Sequence, residues 1–393
     1  MSITTRLDRP DSRFPVLPQP RGPLSGAVLR RMHGGPLAPG ADDWREDPYG
    51  EDTQLALYCC YELHYRGFDG VPEGLEWDPE LLGVRHAVER VFLSALRRDV
   101  RGGDDVTAEV DALLTEPLDA WGVSHHLRRD GELWQLREYV AHRSMYHLKE
   151  ADPQAWVIPR LPGPVKAALV TVQHDEYGAG DPNRMHARLF ADMMDELDLC
   201  SDYGAYLDAA PAATLAEVNL MSMYGLHRAL RGALIGQFAT VELTSSPGSD
   251  RLVRAMHSLG CGPAAIAFHD EHVEADAVHE QIVRRGVLAP LLEAEPDLAA
   301  DVVLGIQTST LLGDRFAEHL LGHWTTGRPS LSKPLPERST TQPHQGCAGS
   351  QSGPETGRVA GHHRPDQPGS HGHLQVEHGS AASTDSGLPI GLT

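Results

Sequence analysis

Residues 268–280 read FHDEHVEADAVHE, and the helical period of this stretch brings three metal-binding side chains together. At about 100° per residue, Asp276 lies about 40° round a helix from His272, and His279 lies about 20° short of it. Apolar residues fill intervening positions, and Pro263 is the last proline or glycine before the stretch. The sequence therefore predicts a helix that presents His272, Asp276 and His279 on one face.

Two imidazoles and a carboxylate on one helical face form a mixed nitrogen and oxygen donor set. Such a set suits iron, manganese or zinc better than calcium or magnesium. The same stretch contains Asp270, Glu271, Glu274 and Glu280, so a solvated acidic face is the alternative interpretation. The metal site is favoured over the solvated acidic face only if further ligands occur elsewhere in the chain.

The chain has 393 residues and is acidic, with a formal net charge of -21 at pH 7. That charge disfavours a nucleic-acid partner, because phosphate binding requires a basic surface. The first residues form no apolar leader region, and no apolar run is long enough to cross a bilayer. The five cysteines form no CxxC pair that would indicate a zinc knuckle. We therefore expect a cytoplasmic protein with neither a membrane nor a nucleic-acid partner.

Helical patterns follow one another along the chain, and period-two alternation of apolar residues is almost absent. Residues 51–326 are therefore expected to form one all-α bundle. Residues 1–50 are expected to be a Pro-rich arm, extended and loosely held between residues 13 and 23. Residues 327–393 are rich in Pro, Gly, Ser and His, so we expect a disordered tail that binds metal only adventitiously.

Several acids and histidines interrupt otherwise apolar helical faces. A buried carboxylate has to be paired or bound to a metal, because an isolated ionised one is too costly. Glu62 is interpreted as a buried, hydrogen-bonded carboxylate. Taken singly, Glu176 could pair with Arg184, and His186 could be a core histidine. Together with the three side chains of the opening stretch, these residues supply the four carboxylates and three imidazoles of a dinuclear non-haem iron centre. The seven candidates are Glu150, Glu176, His186, Glu242, His272, Asp276 and His279.

The ferritin-like form of such a centre requires Glu-x-x-His twice, and this motif does not occur in the sequence. The residues instead resemble the iron-containing redox enzyme family of haem-oxygenase-like diiron oxidases and oxygenases. The resemblance rests on the joint spacing of residues 175–180 (DEYGAG), His186, Glu242 and residues 268–279. It covers about residues 50–326 and implies a haem-oxygenase-like helical bundle.

The resemblance also implies a ligand set and a reaction. Six of the candidates would bind two iron ions, and Glu150 corresponds to an additional ligand found in some members. Dioxygen would be the co-substrate, and a small organic substrate would be oxidised or oxygenated. No separate catalytic acid or base is required, and the interpretation is compatible with an external electron donor and with a homodimer.

Other activities of the same fold are less well supported by the residues. A haem site would need an axial histidine on an early helix, but His33 lies in the arm and tyrosines crowd His64. A thiaminase-like site would need an inward cysteine, whereas Cys200 and Cys261 lie next to helix ends. A mononuclear iron oxidase and a non-catalytic iron-binding bundle remain the alternatives to the diiron enzyme.

Overall fold

The computed structural model describes residues 14–37, 47–117 and 119–335, with the backbone alone for residues 274, 276 and 277. These residues form helices and no strand, which confirms the predicted all-α class. Within them, each helix is too short or too polar to span a lipid bilayer. The α-helices are α1 (Pro23–Met32), α2 (Glu51–Glu62), α3 (Pro79–Asp99), α4 (Val106–Leu113), α5 (Val123–Asp130), α6 (Leu133–His147), α7 (Asp152–Ala155), α8 (Gly163–Glu176), α9 (His186–Glu196), α10 (Ala212–Leu226), α11 (Arg231–Ser258), α12 (Pro263–Ile282), α13 (Ala289–Ala294) and α14 (Ala299–Trp324).

Local signals account for several helix boundaries. The run Asp78-Pro79-Glu80 predicts a helix start with an N-cap, an N1 proline and a first-turn acid. The Asp78 carboxylate accepts a hydrogen bond from the Leu81 backbone N–H at 3.0 Å, which confirms this N-cap of α3. The sequence predicts two separate helices over residues 227–243 and 249–259, but helix α11 continues through Pro247 to Ser258. The residues beyond the proline remain packed, with Leu252, Ala255 and Met256 buried. Tertiary packing therefore outweighs the local cost of a proline inside this helix.

Helices α11 and α14 cross with their backbones in contact, and two glycines make this possible. A Cβ at Gly236 would overlap the carbonyl oxygen of Val302, and a Cβ at Gly305 would overlap that of Ala233. Any side chain at either position would push the two axes apart. The crossing therefore fixes the axis of α11, which carries Glu242 less than two turns further along.

The N-terminal segment differs from the loosely held arm that composition predicted. Residues 14–22 are irregular, but the Gln19 N–H donates to Asp208, and the Arg21 guanidinium binds Glu51 and the Leu207 carbonyl oxygen. The following helix α1 is packed in the core, where Leu24, Val28 and Met32 are 0–1% exposed. The expectation of loose attachment between residues 13 and 23 is thus wrong for residues 14–23.

A distant side chain explains why α1 was missed. Gly22 at its N-cap offers no side chain, and the Asp52 carboxylate of α2 instead accepts from the N–H groups of Leu24 and Ser25 at 2.8 and 2.6 Å. A cap supplied from another helix leaves no local sequence signature.

The expected tail also begins too early at residue 327. Residues 328–335 lie against the body: Ser330 donates its N–H and its hydroxyl to Glu138, and Leu331 is buried. Ser332 donates its backbone N–H to the Ala209 carbonyl oxygen at 2.9 Å. These contacts are single and aperiodic, so composition did not reveal them. The rest of the expected tail, residues 336–393, lies outside the described residues.

Candidate metal centre

The structure brings six of the seven sequence-predicted candidates together inside the bundle. Each is nearly buried, with 1–8% of its surface exposed. They form two overlapping groups, within each of which the potential ligand atoms lie within 4.8 Å of one another. The first group is Glu150, Glu176, His186 and His272, and the second is Glu176, Glu242 and His279. For Asp276 only the helical backbone is described, in α12 between the two histidines.

The first group joins three parts of the chain to α12. Glu150 lies in the turn after α6, where its Oε1 is 2.8 Å from His147 Nδ1 and 3.8 Å from His272 Nε2. The His186 and His272 rings are 4.4 Å apart, centre to centre. The second carboxylate oxygen of Glu150 is buried without a hydrogen-bond partner among the described residues.

A tight turn places Glu176, the last residue of α8, beside His186, the first residue of α9. His186 Nδ1 lies 2.8 Å from Glu176 Oε2, but without the geometry of a hydrogen bond. Gly178 in this turn has φ 72°, and a Cβ there would lie 2.6 Å from the Met185 nitrogen. The turn therefore requires glycine both for its backbone conformation and for its close approach.

The second group uses the other face of Glu176. His279 Nδ1 is 3.1 Å from Glu242 Oε2 and 3.7 Å from Glu176 Oε1. Glu176 thus directs one oxygen at His186 and the other at His279. A carboxylate in this position can bridge two metal ions.

Neighbouring groups orient two of the imidazoles. His272 Nδ1 donates its hydrogen to the Phe268 carbonyl oxygen at 2.7 Å, which leaves the Nε2 lone pair for a metal. His279 Nε2 lies 3.3 Å from Asp175 Oδ2. With its proton donated to Asp175, His279 presents the lone pair of Nδ1 toward Glu242 and Glu176.

Sequence reasoning missed Asp175 and His147 as partners of the site. Asp175 directly precedes Glu176, and His147 is three residues before Glu150, so each had a local signal. Both signals were ambiguous, because an exposed acid and a helix-end histidine are common without any role. Only the fold shows that they contact His279 and Glu150.

The charges within the site depend on one another. Burial alone would raise the pKa of Glu150, but the imidazoles of His147 and His272 outweigh burial and hold that pKa well below its usual range. Burial would lower the pKa of His186, but the adjacent Glu176 carboxylate raises it instead. The two imidazoles therefore favour the ionised form of Glu150 although this carboxyl group is buried.

The donor set fits a transition metal such as iron. Imidazole nitrogens and carboxylate oxygens converge, and a buried Glu150 oxygen and His186 Nδ1 have no hydrogen-bond partner among the described residues. Unpartnered buried polar atoms are costly, and a bound cation would satisfy both. This fit rests on the geometry of these residues.

Comparison with known proteins agrees with this chemistry. Residues 137–314 match a family described as iron-containing redox enzymes. This segment of the chain is therefore similar to that family. All six clustered candidates lie inside the matched range.

The chain is also similar to the nitrosourea synthase of Streptomyces achromogenes subsp. streptozoticus. The two are 25% identical over 262 residues, which cover 64% of this chain and 55% of the relative. The chain thus spans about half the length of that relative.

A cavity of about 500 Å³ lies beside the six clustered candidate ligands. Glu150, Glu176, Glu242 and His272 contribute to its wall. Much of the remaining wall is apolar, including Leu220, Met221, Phe238, Leu252 and Phe268. A small molecule in this cavity would contact the ligands of the candidate metal centre directly.

Proposed function

We propose that this protein is a non-haem diiron oxidoreductase that activates dioxygen and oxidises or oxygenates a small organic substrate. The iron-containing redox family supports the metal and the class of reaction. The cavity beside the ligand cluster supports a small-molecule substrate.

The position of Glu176 carries the proposal of two ions rather than one. Its two oxygens face different imidazoles, His186 at 2.8 Å and His279 at 3.7 Å. Each side is completed by further donors, Glu150 and His272 on one and Glu242 on the other. One ion would leave the donors of the other side without a role.

In this proposal the ligands are Glu150, Glu176, His186, Glu242, His272, Asp276 and His279. Two ferrous ions, when bound, would supply the electrons that activate dioxygen. The chain's own part is to fix the ligands and exclude bulk water. Phe268 packs on the His272 ring at 4.4 Å, and its carbonyl oxygen holds the tautomer of that ring. The apolar part of the cavity wall would limit the water next to these ligands.

The relative supports an oxidation within nitrogen chemistry, because its name refers to a nitrosourea. A nitrogen-bearing small molecule is therefore the first substrate class to test. The match covers about half of the relative, so this substrate class is part of the proposal for the present chain.

The test is an anaerobic titration with ferrous iron, with bound metal counted by elemental analysis. We expect two equivalents in the wild-type protein, one in Glu242→Ala, and strong loss in Glu176→Ala because that side chain serves both sides. His257→Ala is the matched control, since His257 is an exposed histidine on α11. Dioxygen uptake by the loaded protein should then depend on both equivalents.

Two results would favour the alternatives. Tight binding of one equivalent that survives Glu242→Ala would indicate a mononuclear iron oxidase. Two equivalents with no dioxygen uptake across a screen of nitrogen-bearing substrates would favour a non-catalytic iron-binding bundle.

A further inference from the structure

Three buried glutamines line the cavity close to the metal-binding carboxylates. Gln154 follows Glu150 by four residues, Gln173 precedes Glu176 by three, and Gln237 precedes Glu242 by five. All three are 2–3% exposed. Three neutral amides therefore lie beside the candidate metal centre, and none of them is among the candidate metal ligands.

Gln173 differs from the other two in its hydrogen bonding. Gln154 donates its amide N–H to Tyr146 and to Gln237, each at 3.3 Å. For Gln173, neither Oε1 nor Nε2 has a hydrogen-bond partner among the described residues. Because both atoms are unpartnered, this conclusion is the same for either orientation of the amide.

A buried amide without a protein partner is satisfied by water or by a group bound in the cavity. Each unsatisfied buried donor or acceptor costs about 1–3 kcal/mol, so a folded chain rarely leaves both ends of one amide unpaired. Gln173 lies in the wall of the cavity, one helical turn before Glu176 on α8. Three residues correspond to a rise of about 4.5 Å along the helix axis between the backbones of Gln173 and Glu176.

We propose that Gln173 binds an amide or urea group of the substrate through two parallel hydrogen bonds. A primary amide edge presents one N–H donor and one carbonyl acceptor, and a substrate amide or urea presents the complementary pair. A carboxylate offers acceptors alone and a guanidinium offers donors alone, so each would satisfy one end of Gln173. The apolar wall, including Leu220 and Phe238, would hold an alkyl chain attached to this group.

This inference rests on the proposed function only in taking the cavity as the substrate site. Gln173 would act as a specificity residue that selects the substrate group held beside the metals. It would bind no metal, so its substitution should leave the ferrous stoichiometry unchanged.

The experiment compares three probes of similar length: butylurea, pentanoate and butylguanidinium. Their dissociation constants are measured by calorimetry with the anaerobic, iron-loaded protein and again with the metal-free protein. We expect wild-type protein to prefer butylurea. Gln173→Leu should weaken butylurea binding about tenfold or more, as expected for the loss of two hydrogen bonds, with little change for pentanoate.

Gln173→Glu distinguishes recognition of the substrate by Gln173 from a purely structural role of this residue. A carboxylate accepts from two donors, so this variant should reverse the preference toward butylguanidinium. Gln281→Leu on the exposed face of α12 is the matched control and should change none of the three constants.

The proposal is overturned if butylurea does not bind, if Gln173→Leu affects all probes equally or none, or if that variant loses iron. Its failure is distinct from failure of the diiron proposal. A chain that binds a single iron but keeps a Gln173-dependent preference for butylurea would refute two metals and support the amide site.

Discussion

Two buried charged clusters meet at consecutive residues, Lys149 and Glu150. They differ in how the buried charges are compensated. Lys149 Nζ lies 2.8 Å from Glu62 Oε2, with the two side chains 2% and 0% exposed. Tyr203 donates its hydroxyl to the same carboxylate, and the Lys149 ammonium lies 4.3 Å from the centre of the Tyr65 ring. This cluster neutralises its own charge.

The cluster of candidate metal ligands is also buried but is differently composed. Glu150, Glu176 and Glu242 face imidazoles rather than an ammonium group, and an oxygen of Glu150 is left unpartnered among the described residues. Burial alone therefore does not distinguish a structural carboxylate from a ligand. The distinction lies in whether the surrounding groups already satisfy its charge.

The largest effect should come from breaking the self-neutralised cluster. Lys149→Met leaves the Glu62 carboxylate buried without its cation, which we expect to lower the free energy of unfolding by about 3–5 kcal/mol. The double variant Lys149→Met with Glu62→Gln should recover most of that loss, because the buried charge is gone. Urea denaturation of the three proteins measures both effects, and a double variant no better than the single one would contradict the comparison.

Glu242→Gln tests the other cluster with the same type of change. In the metal-free protein we expect the free energy of unfolding to change by less than about 1 kcal/mol, because the amide can still bond His279. In the ferrous protein the stabilisation by metal should fall, by about 1.4 kcal/mol for each tenfold loss of affinity. Equal destabilisation with and without iron would show that Glu242 belongs to the structural class.

Gly178→Ala should affect the metal cluster and spare the Lys149 cluster. A side chain at φ 72° that also approaches the Met185 nitrogen should cost about 1–2 kcal/mol and weaken iron binding through Glu176 and His186. Gly260→Ala is the control, since Gly260 has φ 74° but no atom within 4 Å of the position that a Cβ would take. Both variants should show backbone strain in thermal unfolding, and the loss of iron should be specific to Gly178→Ala.

Removal of residues 336–393 should have the smallest effect, because their composition offers little apolar surface to pack. We expect a change in unfolding free energy within about 0.5 kcal/mol and unchanged iron content. Truncation after residue 327 is the contrast, since it also removes the Ser330 hydrogen bonds to Glu138. Equal melting temperatures for the two truncations would show that residues 328–335 contribute nothing.

The sequence predicted those features that have a local or periodic cause. The all-α class, the Asp78 cap and the carboxylate of Glu62 as a paired structural group are confirmed. Of the seven predicted candidates, six side chains converge and Asp276 is described by its backbone alone, and the binding of iron stays a prediction. Helical period and burial cost are sufficient for these inferences.

Features that depend on contacts between distant segments were not predictable in the same way. The cap of α1 comes from Asp52, the docking of Ser330 depends on Glu138, and α11 persists past Pro247 because its far half is packed. Gln173 reads as an ordinary polar residue of α8 in the sequence. Its significance appears only when both of its amide atoms are found buried and unpartnered among the described residues.

The glycine crossing of α11 and α14 has an implication for how such a site can diversify. Because backbone meets backbone at Gly236 and Gly305, the two helices cannot approach each other more closely, and a side chain at either glycine would separate them. Ser309, Leu312 and Phe316 lie beyond the crossing on α14 and line that cavity. Substitutions at these three positions would therefore change the shape of the cavity and the small molecule that fits it, while the backbone of Glu242 keeps its position.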